Sequence, residues 1–287
     1  MSVLVTGATG FIGRALLAAV PPDLEIVAIA RGAPPAETAG VRWVSADLAE
    51  DGFERSLPGR VDAVVHLAQS RDDGNFPGGA RDVVAVNVTA TSRLLEYAHR
   101  NGASRFVLAS TATVYRHSAE PLDEDAALDC PSFYAASKRS AELLARPYAE
   151  LLPCHVLRLF TVYGAGQRGR LIANLAERVR SGEPISVEGR RGLLLSPVHV
   201  DDVVAALLAA LHTPPAGGFE TTNVGGPEAL GIRDIADTLG RVLGREPRLE
   251  SGGDREPGGL AADISKLGRT FDVPPPVPFE VGAARSW

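Results

Sequence analysis

The sequence predicts an α/β fold: a doubly wound parallel sheet with a smaller C-terminal lobe. Three observations point there. Short, β-branched runs that are apolar on both faces recur through the first half, as strands covered on both sides must be. Amphipathic stretches of helical length separate them, and this alternation gives a parallel sheet with right-handed crossovers. A glycine-rich turn joins the first strand to the first helix.

Taken in order, the strands are Val3–Val5, Ile26–Ala30, Val41–Val44, Ala63–Leu67, Phe106–Ala109 and Val156–Phe160, with helices over Phe11–Val20, Arg81–Asn101 and Phe133–Leu152. After about residue 161 the rhythm breaks. Helices are predicted over Arg170–Ser181, Asp201–Leu211 and Ile232–Leu243, with short strands at Ile185–Val187 and Thr222–Val224. Glycine and proline become frequent at 214–227 and 252–259. This reading gives one domain from residues 1–160 and about 196–224, and a second lobe from about 161–195 and 225–287. Ligand is expected between them, at the carboxyl ends of the strands.

The chain has 287 residues, 45% hydrophobic and 22% charged, with a net charge of −6. That length buries a full core without disulfide or metal staples, and the negative balance argues against nucleic acid or an anionic membrane as partner. The longest apolar run, Val203 to Leu211, is too short to span a bilayer. The N-terminus carries no signal-peptide pattern. Cys130 and Cys154 form no CxxC and read as reduced thiols of a cytoplasmic protein; no metal site is expected. Only two of the 29 basic residues are lysine, Lys138 and Lys266.

Strand Val3–Thr6 runs into Gly7-Ala8-Thr9-Gly10-Phe11-Ile12-Gly13 and then into a helix. Gly7 takes the tight turn, Gly10 lets backbone amides approach a pyrophosphate, and Gly13 lets the helix pack on the strand. A dinucleotide is therefore expected at this helix N-terminus. The second strand ends in Arg31 rather than the acid that binds an NAD ribose hydroxyl, which favours NADP(H) over NAD(H).

Tyr134 and Lys138 stand at i and i+4 on one helix face. A phenol titrates near pH 10, and a neighbouring ammonium draws it toward the working range. Thr111, after the fifth strand, supplies a hydroxyl for a substrate oxygen.

These residues, together with TGATGFIG at 6–13, Asp47-Leu48, His66-Leu67-Ala68, Asn87, STATVY at 110–115, YAASK at 134–138, RLFTVYG at 158–164, VHVDDVVAA at 198–206 and NVGG at 223–226, resemble the extended short-chain dehydrogenase/reductase superfamily. Within it, the chain resembles the NAD-dependent epimerase/dehydratase group that acts on nucleotide sugars. The resemblance spans essentially the whole chain. It implies a Rossmann domain in which Gly7, Gly10, Phe11, Ile12, Gly13, Arg31, Asp47, Leu48, Leu67, Ala68, Arg71 and Asn87 surround the cofactor. Asp47 then meets the adenine edge and Arg71 faces the phosphates. Thr111, Tyr134 and Lys138 match the catalytic residues, the last two also touching the cofactor. It further implies Thr111 and Arg255 near substrate, and a homodimer through helices 81–101 and 133–152. The family's second diphosphate arginine falls on Leu195 here, so that either Arg191, just upstream, takes the role or the substrate lacks a diphosphate, and the family's substrate-side Asn is Thr161. His66 and His199 read as structural, and Asp201-Asp202 as helix caps.

Related dehydratases carry Asp-Glu where this chain has Ala112-Thr113, so dehydration is not expected. An epimerase keeps NAD bound, whereas Arg31 fits a reductase that takes in NADPH. The reading is a ketoreductase acting on a sugar ketone, C4 of a nucleotide-linked (dTDP) 4-keto-6-deoxyhexose. The alternatives are a 4-epimerase with bound NAD, a carbonyl reductase resembling dihydroflavonol reductases, and a non-catalytic NADP-binding regulator.

Overall fold

The computed structural model describes residues 1–32, 40–72 and 74–287. Its seven-stranded sheet comprises β1 (Ser2–Thr6), β2 (Glu25–Ala30), β3 (Val41–Ser45), β4 (Ala63–His66), β5 (Arg105–Thr111), β6 (Cys154–Leu159) and β7 (Phe219–Val224), in the order β7-β6-β5-β4-β1-β2-β3. β1 pairs in parallel with β2 and β4, β2 with β3, and β4 with β5. The order turns back beside β1, which makes the carboxyl edge of β1 and β4 the switch point where such sheets bind ligands. Leu4, Val5, Val27, Val64, Val65 and Val107 are wholly buried, so the continuous apolar runs reflect a sheet covered on both faces.

The helices depart from the sequence reading in two informative places. Residues 81–101 do not form one helix: α2 (Ala80–Val84) and α3 (Ala90–Arg100) are joined by a π turn at 85–89. Asn87 explains the irregularity. Its side chain accepts from Ser70 N at 2.9 Å and donates to Ser137 Oγ at 2.9 Å, and its carbonyl accepts from Thr91 Oγ1 at 2.7 Å. π turns mark places where tertiary demands override the regular ladder. The helix begun at Phe133, α4 (Phe133–Ala145), stops seven residues early and gives way to a 3-10 turn at 146–148. Pro147 lies in that turn, and its missing N–H breaks the α ladder. α1 spans Phe11–Ala18.

The chain divides into two compact units. The first comprises 1–114, 130–158 and 207–222 and contains most of the sheet. The second comprises 115–129, 159–206 and 223–287, so residues 115–129 and 196–206 fall there rather than with the sheet. Hydrogen bonds account for the first of these placements. Tyr115 Oη donates to Asn223 Oδ1 at 2.7 Å, Ser118 N to Gly259 O at 2.9 Å and Leu122 N to Ala261 O at 2.8 Å.

Within the second unit, α7 (Ile232–Leu243) packs on α5 (Leu171–Ser181) and α8 (Phe279–Ser286). Tyr163 is wholly buried among Phe279, His199 and the C-terminal Trp287, with ring centroids 5.0, 5.4 and 6.1 Å away. Helix α6 (Val200–His212) already contains Asp201 and Asp202, which therefore sit in its first turn rather than at its cap. Asp202 Oδ2 accepts from Val277 N at 3.0 Å. Among the described residues no helix is long and apolar enough to cross a membrane.

One buried ion cluster fixes α4 to the sheet. The Glu142 carboxylate, wholly buried, accepts from Arg158 Nε and Nη2 on β6 at 3.0 and 2.8 Å. It also accepts from Ser110 Oγ on β5 at 2.6 Å and from Arg139 Nη1 on α4 at 2.7 Å. Burial alone raises a carboxyl pKa, but the bonds and charge of Arg158, with Ser110 and Arg139, outweigh it and hold Glu142 below its usual range. A carboxyl depressed on folding adds stability above its unfolded pKa and loses it as pH falls through the folded value. Glu142→Gln should therefore lower stability near pH 7 by about 3–5 kcal/mol, because removing one partner breaks the buried ion pair with Arg158. Urea denaturation across pH checks this: the gap from wild type should narrow as the solution is acidified, and a constant gap contradicts it.

Candidate active site

The glycine turn is built to admit an anion. Gly7, at φ +67°, lies in the left-handed region, and a Cβ there would fall 2.7 Å from Ala68 N. A Cβ at Gly13 would fall 2.3 Å from Gly7 O, so glycine alone allows α1 to close on the end of β1. Gly10 N donates to Gly7 O at 2.9 Å, and Arg14 Nη1 clasps the loop at Thr9 O, 2.8 Å away. Helix α1 starts after Gly10 with no side-chain cap and no acid in its first turn. Its first amides, at Phe11, Ile12 and Gly13, therefore lack the usual side-chain partner, and the dipole favours negative charge there. This cradle fits the pyrophosphate of a dinucleotide.

The remaining cofactor candidates follow the same carboxyl edge. Arg31 directly follows β2 and is exposed. Asp47 follows β3, its Oδ1 accepting from Ala49 N at 3.0 Å, and Leu48 beside it is buried. Leu67 and Ala68 follow β4; their amides donate to Thr6 O and Thr6 Oγ1 at 3.3 and 3.2 Å. Arg71 is exposed beyond them. Asn87 lies in the π turn, tying the loop after β4 to α4 as described.

Ser132 caps α4, its Oγ accepting from Ala135 N at 3.1 Å. The cap sets the first turn, which carries Tyr134. The Tyr134 hydroxyl donates to Gln69 Oε1 at 3.0 Å. Lys138, one turn further, is only 3% exposed. Burial lowers its pKa to about 8, against an upward pull from Glu142. An ammonium that titrates near neutrality is suited to share proton work with a phenol. Thr111 ends β5, its Oγ1 accepting from Thr113 N at 3.2 Å and lying 3.1 Å from Thr113 Oγ1. The adjacent Ser110 reaches Glu142 on α4, so one cluster registers the strand bearing Thr111 with the helix bearing Tyr134 and Lys138.

His66 is held by Thr6 Oγ1 at 2.6 Å and Thr91 Oγ1 at 3.0 Å. Burial, reinforced by the Lys138 charge, lowers its pKa to about 3, so it is a neutral core histidine. In the second unit, Thr161 O accepts from Val198 N at 3.0 Å. The Arg191 guanidinium is engaged by Asp234 Oδ2 at 2.6 and 2.9 Å and by Ala229 O at 3.2 Å. Arg255 is exposed. Sequence reasoning missed Gln69, Glu142, Ser110 and Ser137. For Glu142 a signal existed: an acid four residues after Lys138, on the same helix face.

The NAD dependent epimerase/dehydratase family matches residues 3–225. A UDP-glucuronate 4-epimerase of Thermodesulfobacterium geofontis is 31% identical over 79% of this chain and 71% of its own length. A dTDP-4-dehydro-6-deoxy-D-allose reductase of a Streptomyces species is 30% identical over 96% of this chain and 91% of its own. Among solved structures, a UDP-glucuronic acid 4-epimerase from Bacillus cereus, in complex with UDP-glucuronic acid and NAD, superposes with a TM-score of 0.86 at 26% identity, covering 100% of this chain and 98% of that one. On the glycine cradle, the Tyr134–Lys138 pair and these matches, the chain belongs to the NAD dependent epimerase/dehydratase family and is an enzyme of the extended short-chain dehydrogenase/reductase type.

Proposed function

We propose that the enzyme modifies a nucleotide sugar, and that its reaction is NADPH-dependent reduction of a sugar ketone, C4 of a nucleotide-linked 4-keto-6-deoxyhexose. The observation that carries the cofactor choice is Arg31, exposed directly after β2. A guanidinium there complements a 2′-phosphate, which an acid would repel. The similarity to a reductase of a dTDP-4-dehydro-6-deoxy sugar along nearly the whole chain supports the substrate class.

Bound in the glycine cradle, with Asp47, Leu48, Leu67, Ala68 and Arg71 around it, a reduced nicotinamide dinucleotide supplies the hydride. The chain's own residues handle the proton. The Thr111 hydroxyl donates to the carbonyl oxygen and holds it beside the phenol. As negative charge develops on that oxygen, the Tyr134 O–H bond breaks and the proton passes to it. Lys138 stabilises the phenolate left behind and holds the nicotinamide ribose. Ala112 and Thr113, which follow Thr111, offer no carboxyl group for the proton shuttling that loss of water from the sugar requires. Thr161, Arg191 and Arg255 are assigned to the nucleotide-sugar end, with Arg191 exchanging Asp234 for phosphate. The assembly is proposed to be a homodimer through α2–α3 and α4, acting in the cytoplasm.

A second reading, 4-epimerisation with tightly held NAD, is favoured by the fold shared with the NAD-bound Bacillus cereus epimerase. Cofactor turnover separates the two: a reductase consumes NADPH stoichiometrically with a 4-keto sugar, and an epimerase interconverts two sugars with no net consumption. Tyr134→Phe should cut turnover by about 10²–10⁴-fold, the usual share of acid–base catalysis, with cofactor affinity retained; near-wild-type turnover removes Tyr134 from the mechanism. Arg31→Asp should shift the ratio of NADPH to NADH efficiency toward NADH by at least about tenfold. An unmoved ratio contradicts the assignment of the 2′-phosphate to Arg31.

A further inference from the structure

The Tyr134 hydroxyl donates to Gln69 Oε1, and bonds on either side of Gln69 hold it there. The residues on either side are pinned. Ala68 N donates to Thr6 Oγ1 at 3.2 Å, and Ser70 N donates to Asn87 Oδ1 at 2.9 Å. Ser70 Oγ in turn donates to Asp82 on α2 and accepts from Asp72 N at 3.0 Å. The backbone of Gln69 is thereby fixed from β1, the π turn and α2 together, and its amide oxygen sits 3.0 Å from the phenol oxygen.

The amide oxygen accepts a hydrogen bond from the O–H whose proton the reaction must deliver to substrate. When the Tyr134 O–H turns to the substrate carbonyl, Gln69 Oε1 loses its donor. It then stands one hydrogen bond from the phenol, beside the reacting oxygen, on a backbone that cannot swing away. A half-buried acceptor left without its donor at that point opposes catalysis. A substrate hydroxyl on the carbon next to the carbonyl supplies the missing donor.

We propose that Gln69 is a specificity-determining residue that selects substrates bearing a hydroxyl vicinal to the reacting carbon. This deepens the reading above and rests on Tyr134 being the proton donor. A site built to hydrogen-bond a substrate hydroxyl rejects the analogue lacking it far more strongly than an apolar pocket rejects a missing methylene. The geometry thus points to an α-hydroxy ketone in place of a ketone flanked by CH₂.

The test compares a nucleoside diphosphate 4-keto-6-deoxyhexose with its 3-deoxy analogue, on wild type and on Gln69→Met, which keeps the length of the side chain without the acceptor. Wild type should prefer the hydroxylated substrate by at least about 10²-fold in kcat/KM. Gln69→Met should reduce that preference to about tenfold or less, by slowing the hydroxylated substrate and by relieving the deoxy analogue of the unpaired acceptor. Gln69→Glu, which keeps an acceptor oxygen at the same reach, should retain the preference. An unchanged preference in Gln69→Met, or equal slowing of both substrates, overturns the proposal. Gln69→Ala reads the same ratio and guards against misfolding of the Met variant. Calorimetric titration with the two corresponding 4-hydroxy sugars, with and without the 3-hydroxyl, gives the ratio as affinities. A collapse in that ratio on Gln69→Met supports the proposal even where NADPH is not consumed, the result that tells against reduction. An unchanged affinity ratio overturns it whichever reaction the enzyme performs.

Discussion

The buried Glu142 carboxylate is the constraint on which the site depends. A charge taken out of water is costly unless it is fully paired, and Glu142 meets that condition with donors from β5, β6 and its own helix. Satisfying the acid therefore dictates where α4 lies on the sheet. Thr111 rides one residue beyond Ser110, and Lys138 one helical turn before Glu142, so the position of both follows from the same cluster. Glu142 also acts on Lys138 directly. Burial drives the lysine toward its neutral form, and the acid counters part of that drive, leaving a pKa of about 8. An apolar residue at 142 would pack, but it would set neither the height of the helix nor the charge of the lysine.

Around this anchor the site is assembled from short-range devices. The glycine loop brings α1 against β1 through contacts that no side chain could share. The π turn at 85–89 interrupts a helix so that Asn87 can bond both the loop after β4 and α4. These devices place the loop bearing Gln69 and the helix bearing Tyr134 in fixed register, which is what preorganised proton transfer requires. In the second unit, Tyr163 and His199 are architectural: Tyr163 packs its ring against His199, Phe279 of α8 and Trp287.

Much of the fold was legible because its signals are local. Parallel strands read as unbroken apolar runs, and a glycine triplet between strand and helix has few other uses. The Tyr134–Lys138 pair stood out because lysine is so scarce in this chain. What stayed hidden depends on partners distant in sequence. Glu142 stands four residues after Lys138, but the partner that draws it into the core, Arg158, lies 16 residues away. Gln69 carried no pattern, since its role is set by Tyr134, 65 positions later. The break at 85–89 was invisible to periodicity because Asn87 acts through Ser70 and Ser137. Residues 115–129 follow the sheet in sequence, but their hydrogen bonds reach Asn223 and residues 259–263.

The most direct test of the central claim follows the transferred hydrogen. The enzyme is supplied with NADPH carrying deuterium at the transferable C4 position and a nucleotide-linked 4-keto-6-deoxyhexose, and the product sugar is analysed by mass and NMR. The account predicts one deuterium at sugar C4 for each NADP+ released. A 4-keto sugar recovered unreduced, with no NADP+ released, would contradict it, and interconversion of the two 4-hydroxy epimers with bound NAD would assign the site to epimerisation.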